Sequence, residues 1–385
     1  MTKLKHIEVS GFKSIKEMKL DLGPLNVLIG ANGSGKSNFL GAFGLLKAGT
    51  DFDKMREFII GKERASSQGA TGAQGAIGPQ GEFIIGKGRA SSLLHFGPEV
   101  TSEVVFALTF ETENGEYKYR QRLIYGAPDT LVPAEHEVSC PEGAIGLLGF
   151  HPGIPGAADS YEPARVAEKA FALVNGLTVF QFHDTSEKSR IRRGCYVEDN
   201  QQLKPDAGNL AAFLYMLRNT RREYYRRIVE TIRQAASFFD DFDLATQKGD
   251  TQNILLNWKE RGSDYLFGPH QLSDGTLRFM ALVTLLLQPE PPDVIIIDEP
   301  ELGLHPYAIN ILASLVRGVA TERQAILATQ SALLVDQFEP EDVVVTERAG
   351  PETTFKRLDP QALAEWLKEY SLSELWEKNV LGGTP

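Results

Sequence analysis

Eight residues, Gly30-Ala31-Asn32-Gly33-Ser34-Gly35-Lys36-Ser37, constrain this chain more than any other stretch. They satisfy G-x-x-x-x-G-K-S between an apolar run, LNVLIG, and a segment in which Phe39, Leu40, Phe43 and Leu46 recur at helical intervals before Gly49. Strand, glycine turn and helix in that order gather successive backbone N–H groups around one concavity and add the positive end of the helix, which makes a cradle for phosphate. Gly30, Asn32, Gly33, Ser34, Gly35, Lys36, Ser37 and Asn38 are therefore the candidate nucleotide-binding residues. Lys36 is expected to reach the β- and γ-phosphates of ATP, and Ser37 to offer its hydroxyl to Mg²⁺.

A second block, Val294-Ile295-Ile296-Ile297-Asp298-Glu299-Pro300, reads as a strand buried on both faces that ends in two acids. At such a strand end Asp298 can hold Mg²⁺ and Glu299 can orient or deprotonate an attacking water. Between the two blocks, Leu272-Ser273-Asp274-Gly275-Thr276 opens a helical run, TLRFMALVTLL, with Ser273 placed 25 residues before Asp298. The last third alternates such helices with apolar strands, which implies a largely parallel sheet covered on both sides.

The remaining organisation follows from pattern changes. Residues 1–56 carry the first half of the nucleotide-binding core. Residues 57–92 hold a duplication, EFIIGKERASS returning as EFIIGKGRASS, around a collagen-like glycine triplet run expected to loop out flexibly. An antiparallel meander is expected over 93–140, with an Asn114-Gly115 turn signal, and a helical lobe with linker over 141–265, including a helical segment through 207–236. The second half of the core spans 266–346, and 347–385 is a C-terminal tail.

Cys140 and Cys195 lack metal-ligand spacing and fit reduced thiols in the cytoplasm. No apolar run is long enough for a bilayer, so no membrane role is expected. The net charge of −11 argues against a chain that coats nucleic acid through its overall field. Residues 188–227 nevertheless hold ten basic residues against four acids, and Arg218, Arg222 and Arg226 recur every fourth position. On a single helix they form a stripe able to neutralise DNA or RNA phosphates.

The blocks GFKSIKEMKLDLGPLNVLIGANGSGKSNFL, FHDTS, LSDGTLR, IIIDEPELGLHP, ATQSALLVD and LSELWEKNVLGG together resemble the ABC-type P-loop ATPases of the RecF and SMC class. The resemblance implies an α/β fold of ABC type, a mainly parallel sheet flanked by helices, with the meander and the helical lobe attached. It implies ATP hydrolysis in a head-to-head homodimer, in which Ser273 and Gly275 of one copy complete the site of the other. By the same resemblance Gln330 stands where many relatives place a switch histidine, and Gln181 is the candidate third Mg²⁺ ligand. His305 falls in the loop that crosses the interface in such dimers, and Lys13 in a turn that approaches nucleotide. A role in DNA repair or defence is the expected setting. The alternatives are a low-turnover regulatory ATPase that controls a separate effector such as a nuclease, and a transporter nucleotide-binding subunit. No nuclease-like acidic cluster follows ATQS, so the chain itself is not expected to cut DNA.

Overall fold

A computed structural model describes residues 1–50, 89–141, 143–147, 162–247 and 250–383. The duplicated segment lies outside them except for 89–92. There the second copy ends in a 3₁₀ turn, Ala90–Leu93, that buries Ala90 and Leu93 and donates a hydrogen bond from Ser91 N–H to Asp129 Oδ1 (2.8 Å).

The chain opens with β1 (Lys3–Phe12), β2 (Ile15–Asp21) and β3 (Leu25–Ile29), then helix α1 (Lys36–Ala48). Four strands follow: β4 (Glu103–Thr112), β5 (Gly115–Gly126), β6 (Thr130–Cys140) and β7 (Gly143–Leu147). Next come α2 (Glu162–Gly176), β8 (Thr178–Phe180), β9 (Cys195–Tyr196), α3 (Leu210–Thr220) and α4 (Arg222–Ala235). Short strands β10 (Phe239–Asp243), β11 (Thr246–Gln247), β12 (Asp250–Ile254), β13 (Asn257–Glu260) and β14 (Leu266–Phe267) lead to α5 (Asp274–Leu287). The chain closes with β15 (Val294–Asp298), α6 (Pro306–Ala320), β16 (Gln324–Thr329), α7 (Ala332–Val335), β17 (Val343–Ala349), β18 (Glu352–Arg357), α8 (Pro360–Leu363) and α9 (Leu372–Glu377).

The central sheet has the order β18-β17-β3-β16-β15-β8, parallel except for the β17–β18 pair. Its inner strands β3, β15 and β16 are buried throughout because each face packs on a different core. Val27, Ile29, Ile295, Ile297 and Leu327 join the core formed with α3 to α6, whereas Leu28, Ile296, Ile326 and Val344 join the core formed with α1 and the meander. Each such residue fully withdrawn from water contributes about 1.5–3 kcal/mol. The parallel strands therefore end together at one rim with little freedom to shift.

The expected meander is a six-stranded antiparallel sheet, β2-β1-β4-β5-β6-β7. It extends beyond residue 140 to β7, and it takes β1 and β2 away from the nucleotide-binding sheet. The register pairs Ile7 with Leu108 and Val9 with Phe106, so the alternating apolar residues of both strands share one face. The helical segment expected over 207–236 is built as two helices, separated at Arg221, whose φ of −138° and ψ of 55° leave helical geometry. α4 buries Tyr225, Ile228, Val229 and Ile232 along one stripe. The lobe also carries two three-stranded sheets, β10-β13-β14 and β11-β12-β9.

Candidate functional site

The glycine-rich turn leaves β3 at the carboxyl rim of the central sheet. Gly30, Gly33 and Gly35 have positive φ (157°, 79° and 114°), and a Cβ on Gly35 would lie 2.3 Å from Thr353 Oγ1. Lys36, the first residue of α1, is buried and folds its ammonium back to donate to the carbonyls of Gly30 (2.6 Å) and Ala31 (3.0 Å). Desolvation pulls its pKa down, and the carboxylates of Glu299, Asp298 and Glu301 oppose that shift. Ser37 is exposed, whereas Ser34 is buried and its Oγ has no partner. The Asn38 side-chain amide donates to Ser14 Oγ (2.7 Å), which in turn meets Thr353 Oγ1 (2.7 Å). This amide fastens the helix to the β1–β2 turn.

Asp298 closes β15, buried beside the two glutamates. Desolvation, then Glu299 and Glu301, push its carboxyl up to about 7. Glu299 follows at a φ of 40°, a left-handed backbone that re-aims its side chain, and its N–H donates to Ala328 O (2.8 Å). Gln330 Nε2 donates to Glu299 Oε1 at 2.5 Å, so these two candidate residues are in direct contact. Glu301 steadies them from behind: its Oε1 accepts from Thr329 Oγ1 (2.6 Å) and Gln330 N–H (3.1 Å), while its buried Oε2 is unpartnered. Burial raises the Glu301 carboxyl pKa.

Gln181 Nε2 donates to Asp298 Oδ2 (3.2 Å) and meets His183 Nδ1 (3.0 Å), while His183 Nε2 lies 3.1 Å from the Asp298 carbonyl oxygen. A carbonyl only accepts, so the proton sits on Nε2, and Nδ1 accepts from the glutamine. Burial lowers the His183 pKa, against the pull of the Asp298 backbone bond and the Glu299 charge. His183 had no assigned role in the FHDTS block; its only sequence signal was its position two residues after Gln181.

The donor set suits Mg²⁺ better than a softer metal. It combines one hydroxyl, one crowded carboxylate whose charge is costly without a counter-ion, and one amide, with phosphate and water to supply the rest. Among the described residues no cluster of three or more His, Cys, Asp or Glu side chains could hold a metal by itself.

Ser273 caps α5 and is exposed. Its Oγ accepts from Thr276 N–H (3.1 Å) and meets Thr276 Oγ1 (2.8 Å), so its hydrogen bonds stay within its own turn. The turn is held from beneath by Arg192, which is a buried tie and not the surface cation that its place among the basic residues implied. Its guanidinium donates to Thr185 O (2.6 Å), to Leu272 O (3.1 Å from two nitrogens), to Pro269 O and to Asp274 Oδ1 (2.7 Å). Arg192 thereby holds the Asp274 carboxyl below its ordinary pKa. Gly275 packs directly on the loop after β15, where a Cβ would lie 2.1 Å from Gly303 O. Arg278, one turn on, donates to Phe182 O (3.1 Å), His183 O (2.8 Å) and Leu302 O (3.1 Å). Gln181's loop, the Ser273 turn and the loop after Glu299 are thus one hydrogen-bonded body. His305 caps α6, accepting from Tyr307 N–H at 3.3 Å.

The arginine stripe spans the helix break, with Arg218 on α3 and Arg222 and Arg226 on α4. The three still line one open cavity of about 630 Å³ with Glu223 and Asp241. Arg218 donates to Leu244 O (2.7 Å), and Arg226 lies 3.8 Å from Glu230. Lys204 pairs with Asp199, and Arg190 lies 3.7 Å from Asp206, so part of the basic excess is neutralised locally. No described helix is long and apolar enough to cross a membrane.

A family model described as "AAA domain, putative AbiEii toxin, Type IV TA system" matches residues 25–336. The chain is similar to the energy-coupling factor transporter ATP-binding protein EcfA2 of Staphylococcus aureus, from strains bovine RF122 / ET3-1 and MRSA252. Identity is 30% over 105 residues, which is 26% of this chain and only 35% of those relatives' length. Among solved structures it is similar to the SmcHead bound to the C-winged helix domain of ScpA, with a TM-score of 0.58, 14% identity, and coverage of 94% of this chain and 99% of that one. It is also similar to the Smc head domain with an extended coiled coil bound to the C-terminal domain of ScpA derived from Pyrococcus furiosus, with a TM-score of 0.57, 14% identity, and coverage of 96% and 99%. At that identity the likeness concerns the fold alone.

Proposed function

The chain belongs to this AAA-domain family and is a P-loop ATPase of SMC and ABC type, and on that premise we propose that it works as an ATP-driven clamp of two copies. Two ATP molecules are held between the copies, each by the phosphate cradle of one and the Ser273 turn of the other. The observation that carries the reading is the exposed helix terminus at Ser273, rigidly supported yet hydrogen-bonded only within its own turn. A helix N-terminus with an exposed serine is suited to receive an anion.

In the proposed cycle the Lys36 ammonium exchanges the carbonyls of Gly30 and Ala31 for phosphate oxygens. Ser37, Asp298 and Gln181 are the residues that would hold Mg²⁺, which when bound supplies charge neutralisation on those oxygens. Glu299 orients the attacking water and takes its proton, while Gln330 holds the Glu299 carboxylate in place through the 2.5 Å bond. Glutamine cannot carry the charge that a switch histidine can, so Gln330 acts as a positioning donor. His305 and Lys13 are assigned to the contact with the second copy and to the approach to nucleotide. Glu299→Gln tests the cycle: ATP-bound dimers accumulate on gel filtration while phosphate release stops. Unchanged phosphate release would remove Glu299 from the mechanism.

The cellular role we propose is DNA repair or defence in the cytoplasm, with the Arg218, Arg222 and Arg226 cavity as the phosphate-contacting surface. Replacing Arg222 and Arg226 by serine should reduce the salt slope of DNA binding by about two units. An unchanged slope contradicts the assignment. A low-turnover regulator of a separate effector is the second reading; it is supported if the wild-type chain forms ATP dimers but releases phosphate at no measurable rate. A transporter subunit is the third, supported by the EcfA2 likeness over 105 residues.

A further inference from the structure

The C-terminal tail reaches back to the phosphate cradle. α9 is fastened at its start by a reciprocal cap, in which Ser371 Oγ accepts from Glu374 N–H (3.3 Å) and Glu374 Oε2 accepts from Ser371 N–H (2.8 Å). Asp336, just past α7 and so six residues beyond Gln330, accepts from Ser373 N–H (2.7 Å) and Ser373 Oγ (2.6 Å). Trp376 is fully buried and its Nε1 donates to Gly383 O at 2.6 Å. Leu381 is buried beside it, and Gly382 and Gly383 turn the chain through left-handed backbone, at φ 83° and 62°.

That turn presses Gly383 onto the middle of β17. A Cβ on Gly383 would lie 2.7 Å from Val345 Cγ1, 3.1 Å from Thr346 O and 3.5 Å from Gly30 Cα. The Thr346 carbonyl is in turn wedged against the cradle's first glycine, since a Cβ on Gly30 would lie 2.2 Å from it. Gly30 carries one of the two carbonyls that hold Lys36. One strut therefore joins the segment after Gln330, through Asp336, to the first glycine of the cradle.

We propose that Leu372–Gly383 is a positioning element of the ATP site, a brace whose terminal glycine pair holds Thr346 and Gly30 in the conformation that admits phosphate. The proposal rests on the reading of the cradle as an ATP site. Its consequence is that nucleotide affinity is set in part by residues more than three hundred positions away from the cradle.

The test is Gly383→Ala, compared with Gly350→Ala in the β17–β18 turn. Gly350 has nearly the same φ, 63°, but a Cβ there meets nothing within 4 Å. Both variants carry the same backbone strain, and only the first touches the cradle. Binding of a fluorescent ATP analogue should weaken at least tenfold in Gly383→Ala and stay at the wild-type value in Gly350→Ala. KM for ATP should rise with the affinity loss, while kcat at saturation stays within about threefold. Adding Val345→Ala to Gly383→Ala removes the 2.7 Å contact and should restore affinity. A chain ended after Leu381 should show the same weakening, and it decides the matter if Gly383→Ala does not fold. Equal affinity of the Gly383→Ala, Gly350→Ala and shortened chains would overturn the brace and leave the tail a purely structural cap. A wild-type chain with no affinity for the analogue would overturn the ATP reading itself, and the brace with it.

Discussion

Removing the Arg192 guanidinium separates nucleotide binding from turnover. In the intact chain Arg192 is only 6% exposed at its side chain and donates to the carbonyls of Thr185, Pro269 and Leu272 as well as to Asp274. Arg192→Ala takes this donor from the carbonyls of Thr185 and Leu272, while the Pro269 carbonyl keeps only the Leu272 N–H (3.3 Å). The lost charge-assisted bonds dominate the cost, because the Asp274 side chain is 59% exposed and its ion pair is screened. After water re-enters beside the truncated side chain, the expected loss is about 3 kcal/mol of unfolding free energy, read from urea denaturation. The functional loss is larger than stability alone explains, since the turn that presents Ser273 is no longer held. A displacement of about 1 Å there lowers phosphate release roughly a hundredfold. No P-loop residue is among the partners of Arg192, so affinity for an ATP analogue, measured on dilute protein, should stay within about twofold of wild type. Arg192→Lys keeps a charge but cannot fork, and it should fall between the two. Phosphate release within threefold of wild type from folded Arg192→Ala would refute the reasoning. So would a loss of affinity in proportion to turnover.

Two further outcomes follow from buried groups. Burial pushes His136 down to about 4 from 6.5, in a pocket where Tyr119 Oη meets its Nδ1 at 2.8 Å and the edge of Phe171 packs on the ring. The unfolded chain thus binds this proton more readily; the stability is complete above pH 6.5 and is lost as pH falls toward 4, by up to about 3 kcal/mol. His136→Gln should flatten the dependence of urea midpoint on pH across that window, and an unchanged slope refutes the assignment. Glu301→Ala, which releases Gln330 from behind, should lower kcat about tenfold with little change in ATP affinity. Glu301→Gln keeps an acceptor for Thr329 and Gln330 and should retain most of the rate; equal losses in both variants would show that the carboxylate charge matters and not the support.

The legible parts of this chain are those in which one local pattern has one physical cause. The run Val294–Ile297 is apolar because both faces of β15 are covered, and the glycine spacing before Lys36 is tied to a backbone that only such residues adopt readily. What was not legible depends on distant partners. Alternation in β1 shows which residues face inward, yet it does not name β4, some ninety residues on, as the neighbouring strand. The basic count over 188–227 treats Arg192 and Arg222 alike, although one is buried under the Ser273 turn and the other is exposed. The apolar stripe through 207–236 continues across Arg221, so the break between α3 and α4 left no mark on it. Asn38 sits at cradle spacing, and its side-chain bond to Ser14 in the β1–β2 turn has no counterpart in the local pattern. Gly382 and Gly383 carry no local sign of the cradle, because contact with Gly30 is made only when β17 lies beside β3.

The central claim is that each ATP site is shared between two copies, and mixing two inactive variants tests it most directly. Lys36→Ala disables the cradle and Ser273→Arg disables the turn, so each variant alone should release almost no phosphate. In a mixed dimer one of the two sites combines an intact cradle with an intact turn, and random pairing should restore about a quarter of wild-type phosphate release. If the mixture stays as inactive as its components, or if Ser273→Arg alone turns over normally, the site is not shared and the clamp does not exist.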